Sequence, residues 1–199
     1  IADLSAEYVP CILQMADTEA TAVVAAIEDS PGTLPPLLAT VLRTAEACQR
    51  LHLSSSTLKV LVENPTWLTS RPSRTLTPQT LYLLECFSHC ARHQAQSEEN
   101  LLHYLQVANQ DTPHSEKEAN DLLARLLNWS AEEVSSLTAL VATRRANSME
   151  TVDWVMRCQA CCQSTGLSAN LLIKATQLNT TSPASDWKVV GEALIAACH

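Results

Sequence analysis

Four residues pose the sharpest chemical question in this chain: Cys86, His89, Cys90 and His93, spaced i, i+3, i+4 and i+7. On a helix that spacing gathers them along one face, and thiolate and imidazole are the ligands zinc prefers. A single straight helix sends all its side chains out of one side, so it cannot wrap four ligands tetrahedrally about one ion. A real centre would need a further ligand from a neighbouring helix, for which His103 is the candidate. The plainer reading places Cys86 and Cys90 in the core with the histidines at its edge, because the paired ligand spacings of zinc sites are missing. No metal and no other cofactor is assigned.

A second cysteine cluster, Cys158-x-x-Cys161-Cys162, contains the spacing of thiol–disulfide oxidoreductases. In those proteins the motif opens a helix, where the helix dipole lowers the thiol pKa. Here the periodicity puts it in the last third of a helix, near the negative end, which acts in the opposite direction. Packing of Cys158 or Cys161 against the next helix is the expected role.

The adjacent acids Glu98-Glu99 and Glu132-Glu133 point ~100° apart on a helix, so neither pair converges on one substrate. They read as first-turn charge that complements the helix dipole. The chain contains no Gly-rich phosphate loop, no Gly-x-Ser-x-Gly elbow and no His-Glu-x-x-His pattern, the motifs that would carry phosphoryl, acyl or metallohydrolase chemistry. No catalytic residue is assigned, and the chain is expected not to be an enzyme. Four of the six histidines fall between residues 89 and 114. If they lined an interface, protonation near pH 5–6 would add charge to it and loosen it; ordinary exposure on helix surfaces is the competing reading.

The elements that position these residues repeat. Leu4-Ser5-Ala6-Glu7 recurs as Trp129-Ser130-Ala131-Glu132, each followed at the same offsets by Val and an apolar residue. The stretch from Val41 to Ser54 aligns without gaps on that from Val155 to Ser168, pairing Cys48 with Cys162 and Leu53-Ser54 with Leu167-Ser168. Self-similarity of this kind marks an array of helical units.

Composition agrees. Hydrophobic residues make up 46% of the 199, aromatics only 4%, and there are three glycines, a poor recipe for sheets and a good one for helices. The formal net charge is −8, without a basic stripe to neutralise phosphates, which argues against nucleic-acid binding. An anionic membrane surface would not attract such a chain either. No window approaches the ~20 apolar residues of a membrane-spanning helix, and the start at Ile1 shows no signal-peptide pattern. That start reads as a piece of something longer. The eight cysteines, Cys11, Cys48, Cys86, Cys90, Cys158, Cys161, Cys162 and Cys198, fall mostly at core-facing helix positions and read as reduced thiols.

Punctuation predicts about eleven helices and no strand. The first three lie between Asp3 and Leu51, and a short one follows Ser54 until Asn64-Pro65. Others open at Thr77-Pro78, Ser97, Ser115, Ser130, Ser148 and Ser168, with Gly166 ending the helix that Ser148 begins and Ser182-Pro183 opening the last. The polar run between Trp67 and Pro78 reads as a loop. The expected organisation is one all-α repeat region over 1–199, an array of short helices packed as repeated pairs, with units at about 1–64, 77–109 and 115–179 and a closing helix over 185–197.

The run Leu126-Leu127-Asn128-Trp129-Ser130-Ala131-Glu132-Glu133-Val134-x-x-Leu137, then Val152-x-Trp154-Val155, Gly166-Leu167-Ser168 and Leu172, resembles the A component of the bacterial insecticidal toxin complexes, the Tc toxins, with their virulence-plasmid A-protein type region. Ser185-Asp186-Trp187-Lys188-Val189-Val190 resembles the close of that family's helical region. The resemblance is strongest over residues 115–197 and looser before them.

The resemblance implies a structural role: a segment of the α-helical shell that surrounds the translocation channel of a secreted, pore-forming toxin. It implies as partners other segments and protomers of the same component in a homo-oligomer, and the B–C components indirectly, with no nucleic acid and no membrane contact by this segment itself. It implies a secreted or cell-surface location as part of the full-length toxin. It carries no catalytic residue onto this chain. The cysteine content and the unit containing Cys86 to His103 depart from the family pattern. The alternative is a free-standing helical-repeat adaptor that binds a partner protein in a groove.

Overall fold

The computed structural model describes residues 50–71, 77–95, 97–110 and 115–197. Among them are eight α-helices, one 3-10 turn and no strand: α1 (Ser55–Glu63), the 3-10 turn Pro65–Trp67, α2 (Pro78–His93), α3 (Glu98–Ala108), α4 (Ser115–Leu126), α5 (Ala131–Thr138), α6 (Met149–Thr165), α7 (Ala169–Gln177) and α8 (Ala184–Ala197). The all-α class holds. Of the eleven helices expected for the whole chain, the three before Leu51 lie outside the described residues but for the last positions of the third; Cys11, Cys48 and Cys198 lie outside them too.

The helix starts are local chemistry. The first backbone N–H groups of a helix have no intrahelical partner, and a hydroxyl just outside the helix supplies one. Ser54 accepts from the Thr57 N–H at 3.2 Å, Thr77 from Thr80 at 3.1 Å, Ser97 from Asn100 at 3.1 Å, Ser130 from Glu132 at 3.2 Å, Ser148 from Thr151 at 3.4 Å and Ser168 from Leu171 at 3.3 Å. In three of these caps the hydroxyl also meets a threonine hydroxyl three residues on: Ser54 with Thr57, Thr77 with Thr80 and Ser148 with Thr151.

The chain divides into two compact units between Leu102 and His103. In the first, α1 and α2 bury Leu58, Leu61, Leu83, Leu84, Phe87 and Ala91. The apolar stripe of α2 runs through Leu83, Leu84 and Phe87, with Leu81 half-buried at its edge.

In the second unit α4 packs on α5, and α7 packs on α5, α6 and α8. Leu123, Leu127, Val134, Leu137, Met149, Val152 and Val155 form its core. The connection between α5 and α6 is largely exposed and enters that core only at its end, with Ala146 fully buried. Buried backbone needs partners, and side chains of α3, α4 and the segment after α3 supply them. Tyr104 OH donates to the Ala146 carbonyl at 2.6 Å, Asn109 Nδ2 to Asn147 at 2.8 Å and Asn120 Nδ2 to Arg144 at 3.3 Å.

Candidate functional site

Helix α2 carries the first cysteine–histidine group, and its faces separate the four residues. Cys90 is buried, Cys86 half-buried, and His89 and His93 are exposed. The spacing therefore straddles the edge of the core. Burial, then the neighbouring Cys86, push the Cys90 thiol up to about 12. The His89 and His93 rings lie 4.6 Å apart at their centroids. His103 is exposed on α3, and among the described residues no three His, Cys, Asp or Glu side chains converge as a metal set would. All four described histidines, with His52, are exposed.

The second cluster sits where the periodicity placed it, in the last turns of α6. Cys162, not Cys158 or Cys161, is the buried member. Burial raises the Cys158 thiol, Cys161 adds to the rise, and Arg157 opposes it. Burial, then the Glu133 carboxylate, then the two neighbouring thiols push Cys162 up to about 11. Raised thiols are poor nucleophiles at neutral pH.

The interactions that recur in this molecule lie at its helix junctions. Three connectors share one local plan: a residue in the left-handed region, an apolar residue, then the serine that caps the next helix. They are His52-Leu53-Ser54, Asn128-Trp129-Ser130 and Gly166-Leu167-Ser168, with φ of 54°, 49° and 69° at the first position. The left-handed residue reverses the chain at the helix end, a position that glycine fills without strain and Asn or His fill more readily than most side chains. At Asn128 the reversal is a full Schellman pair, with Trp129 N–H on the Ala124 carbonyl at 2.8 Å and Asn128 N–H on Arg125 at 3.2 Å. Leu53 and Leu167 are buried, which anchors their connectors.

Distant side chains complete these junctions. The Leu51 carbonyl accepts from Ser88 Oγ at 2.5 Å, and the Leu127 carbonyl accepts from the buried Gln159 Nε2 at 2.9 Å. Glu98 accepts from the Ser54 N–H at 3.2 and 3.3 Å, from the Ser54 hydroxyl at 2.5 Å and from the Thr57 hydroxyl. Glu133 accepts from the Ala169 N–H at the start of α7. One member of each acidic pair thus reaches another helix N-terminus, where unsatisfied N–H groups and the helix dipole favour a carboxylate. The paired acids signalled first-turn charge in the sequence; the second helix each one serves had no local signal.

No helix among the described residues is long and apolar enough to cross a membrane. No family model matches the chain, and no solved structure matches it. The chain is similar to a protein of Yersinia entomophaga described as "Toxin subunit YenA1", at 28% identity over 159 residues. That match covers 74% of this chain and 14% of the toxin subunit, so the chain corresponds to a small part of a much longer relative. An all-α chain whose recurring interactions lie at helix junctions is thus distantly related to a toxin subunit.

Proposed function

We propose that this chain is a non-catalytic structural segment of a Tc-type toxin A component, part of the α-helical shell around its translocation channel. The observation that carries the reading is the similarity to a toxin subunit across most of this chain and only 14% of that protein. The construction supports it. Short helices are joined by brief connectors, and carboxylates, amides and hydroxyls from other helices tie those connectors down. Such joints suit a wall assembled from many short helices, each burying one stripe on its neighbours. The partners in this reading are further segments and protomers of the same component, in a secreted homo-oligomer.

The test is the size and assembly of the native gene product, by immunoblot and light scattering on material from the source organism. A product several times longer than 199 residues that assembles as a homo-oligomer is the expected result. A monomeric product close to this length overturns the reading and leaves the helical-repeat adaptor in its place.

A further inference from the structure

His89 and His93 stand one helical turn apart on the exposed side of α2. Residues at i and i+4 lie one above the other on a helix, and here the two ring centres are 4.6 Å apart with a tilt of 42°. Among the described residues neither ring makes a hydrogen bond or an ion pair, which leaves their nitrogens to solvent. A metal–nitrogen bond of about 2 Å puts each ring centre about 3.2 Å from the ion. Two imidazoles at a right angle on one ion then have centres about 4.5 Å apart, and at a tetrahedral angle about 5.2 Å. The observed separation matches the right angle. Because both side chains are exposed, small rotations about their bonds aim one nitrogen of each at a common point.

The surroundings suit a cation. His93 is the last residue of α2, where the helix dipole favours positive charge. Glu85, exposed one turn before His89, adds a carboxylate to the same face. Arg92 is the opposing charge; its Nε donates to the Ser88 carbonyl at 3.3 Å, which ties the guanidinium back along the helix.

We propose that His89 and His93 together form a bidentate site for a divalent transition-metal ion that takes imidazoles at a right angle, nickel(II) or copper(II). The pair stands without a third protein ligand, since no three His, Cys, Asp or Glu side chains converge among the described residues. Cys90 is buried and Cys86 half-buried at the edge of the core, so neither completes it. Water fills the remaining positions. Such a site is open and exchangeable, unlike a structural zinc centre closed by four protein ligands. Imidazole selects against magnesium and calcium, which prefer oxygen, and the right angle selects against tetrahedral zinc. Once one imidazole has bound the ion, the second binds intramolecularly, which lifts the pair above a lone exposed histidine. His52 and His103 are exposed as well, and neither has another histidine four residues away. The site does not depend on the toxin-shell reading.

The test is calorimetric titration of the full gene product with nickel(II) chloride, read as the difference between the parent protein and its variants. Nickel(II) is the probe because copper(II) oxidises thiols. His89→Gln and His93→Gln are each expected to weaken the binding of one nickel equivalent at least tenfold. The double variant is expected to lose no more than either single one, because the two rings act on one ion. His103→Gln is expected to change nothing. Both rings are exposed, so the variants keep the fold, and an unchanged melting temperature without metal verifies it. A loss smaller than tenfold in either single variant overturns the proposal. So does an equal loss in His103→Gln, which would show that any exposed histidine suffices. Zinc(II) chloride, titrated in the same way, is expected to bind the pair no more tightly than nickel(II); tighter zinc binding lost in the same two variants overturns the right-angle assignment.

Discussion

The Ser54 and Ser168 junctions begin with the same two residues, Leu-Ser, and end in the same state, with a carboxylate on the helix start. They reach it from opposite directions. Glu98 lies 44 residues after Ser54, whereas Glu133 lies 36 residues before Ala169. Glu98 holds the capping serine itself and the Thr57 hydroxyl; Glu133 holds the backbone N–H next to the cap. A helix N-terminus demands an acceptor, and packing decides which acid in the chain answers.

The largest effect should come from the more enclosed contact. Glu133→Ala leaves a buried helix N–H without its charged acceptor, and a loss of about 1.5–3 kcal/mol in urea unfolding is expected. Glu98→Ala removes bonds that are partly exposed, so about 1 kcal/mol is expected. If Glu98→Ala costs more, the ranking by burial is wrong. Glu133→Gln keeps an acceptor without the charge and should recover part of the loss.

Double-mutant cycles sharpen the contrast. Ser54→Ala and Glu98→Ala remove partners of one another and should couple by 0.5 kcal/mol or more. Ser168→Ala and Glu133→Ala act on different N–H groups, Leu171 and Ala169, and should add to within about 0.5 kcal/mol. Equal coupling in both pairs would mean that the two carboxylates do the same job.

The cysteines give the units a shared pH dependence. Cys90 and Cys162 rise from 9.0 to about 12 and about 11. A thiol that stays protonated in the folded state and ionises when unfolded favours unfolding above its unfolded pKa. Its contribution is therefore fully present below about pH 9 and is lost as pH rises through the folded value. A melting temperature that is flat to pH 9 and then falls is expected. Cys90→Ala should flatten that fall, and an unchanged slope would remove Cys90 as its source. Glu133→Gln should speed alkylation of Cys162 relative to Cys90, because the carboxylate is one of the charges that keep Cys162 protonated.

The smallest effect belongs to the residues with the most suggestive spacing. His89→Ala should change stability by less than about 0.5 kcal/mol, because the ring is exposed on α2. A larger change would show that the His89–His93 pair supports the fold.

Much of the fold was legible in the chain. The helix starts at Ser54, Thr77, Ser97, Ser130, Ser148 and Ser168 could be read from sequence because a cap hydroxyl serves an N–H only two or three residues ahead. The alignment of Leu53-Ser54 with Leu167-Ser168 pointed to equivalent junctions, and both share the left-handed residue before them. That His52 and Asn128 take the same conformation as Gly166 was less visible, since side chains there tolerate it only in context. The cysteine–histidine run showed its limit: spacing placed four residues on one arc, but not where that arc crosses the edge of the core. Cys162, core-facing by its match to Cys48 in the repeat, is buried, with Cys158 and Cys161 half-buried beside it.

By itself, then, the sequence determined the helical class, the places where helices begin and the recurrence of their connectors, all set by interactions within about one helical turn. Only the tertiary structure decided which carboxylate holds which helix start, which carbonyls Ser88 and Gln159 satisfy, and which side of α8 stays open. The hydrogen bonds among them join residues more than thirty positions apart, and contacts of that range form only when packed helices bring them together.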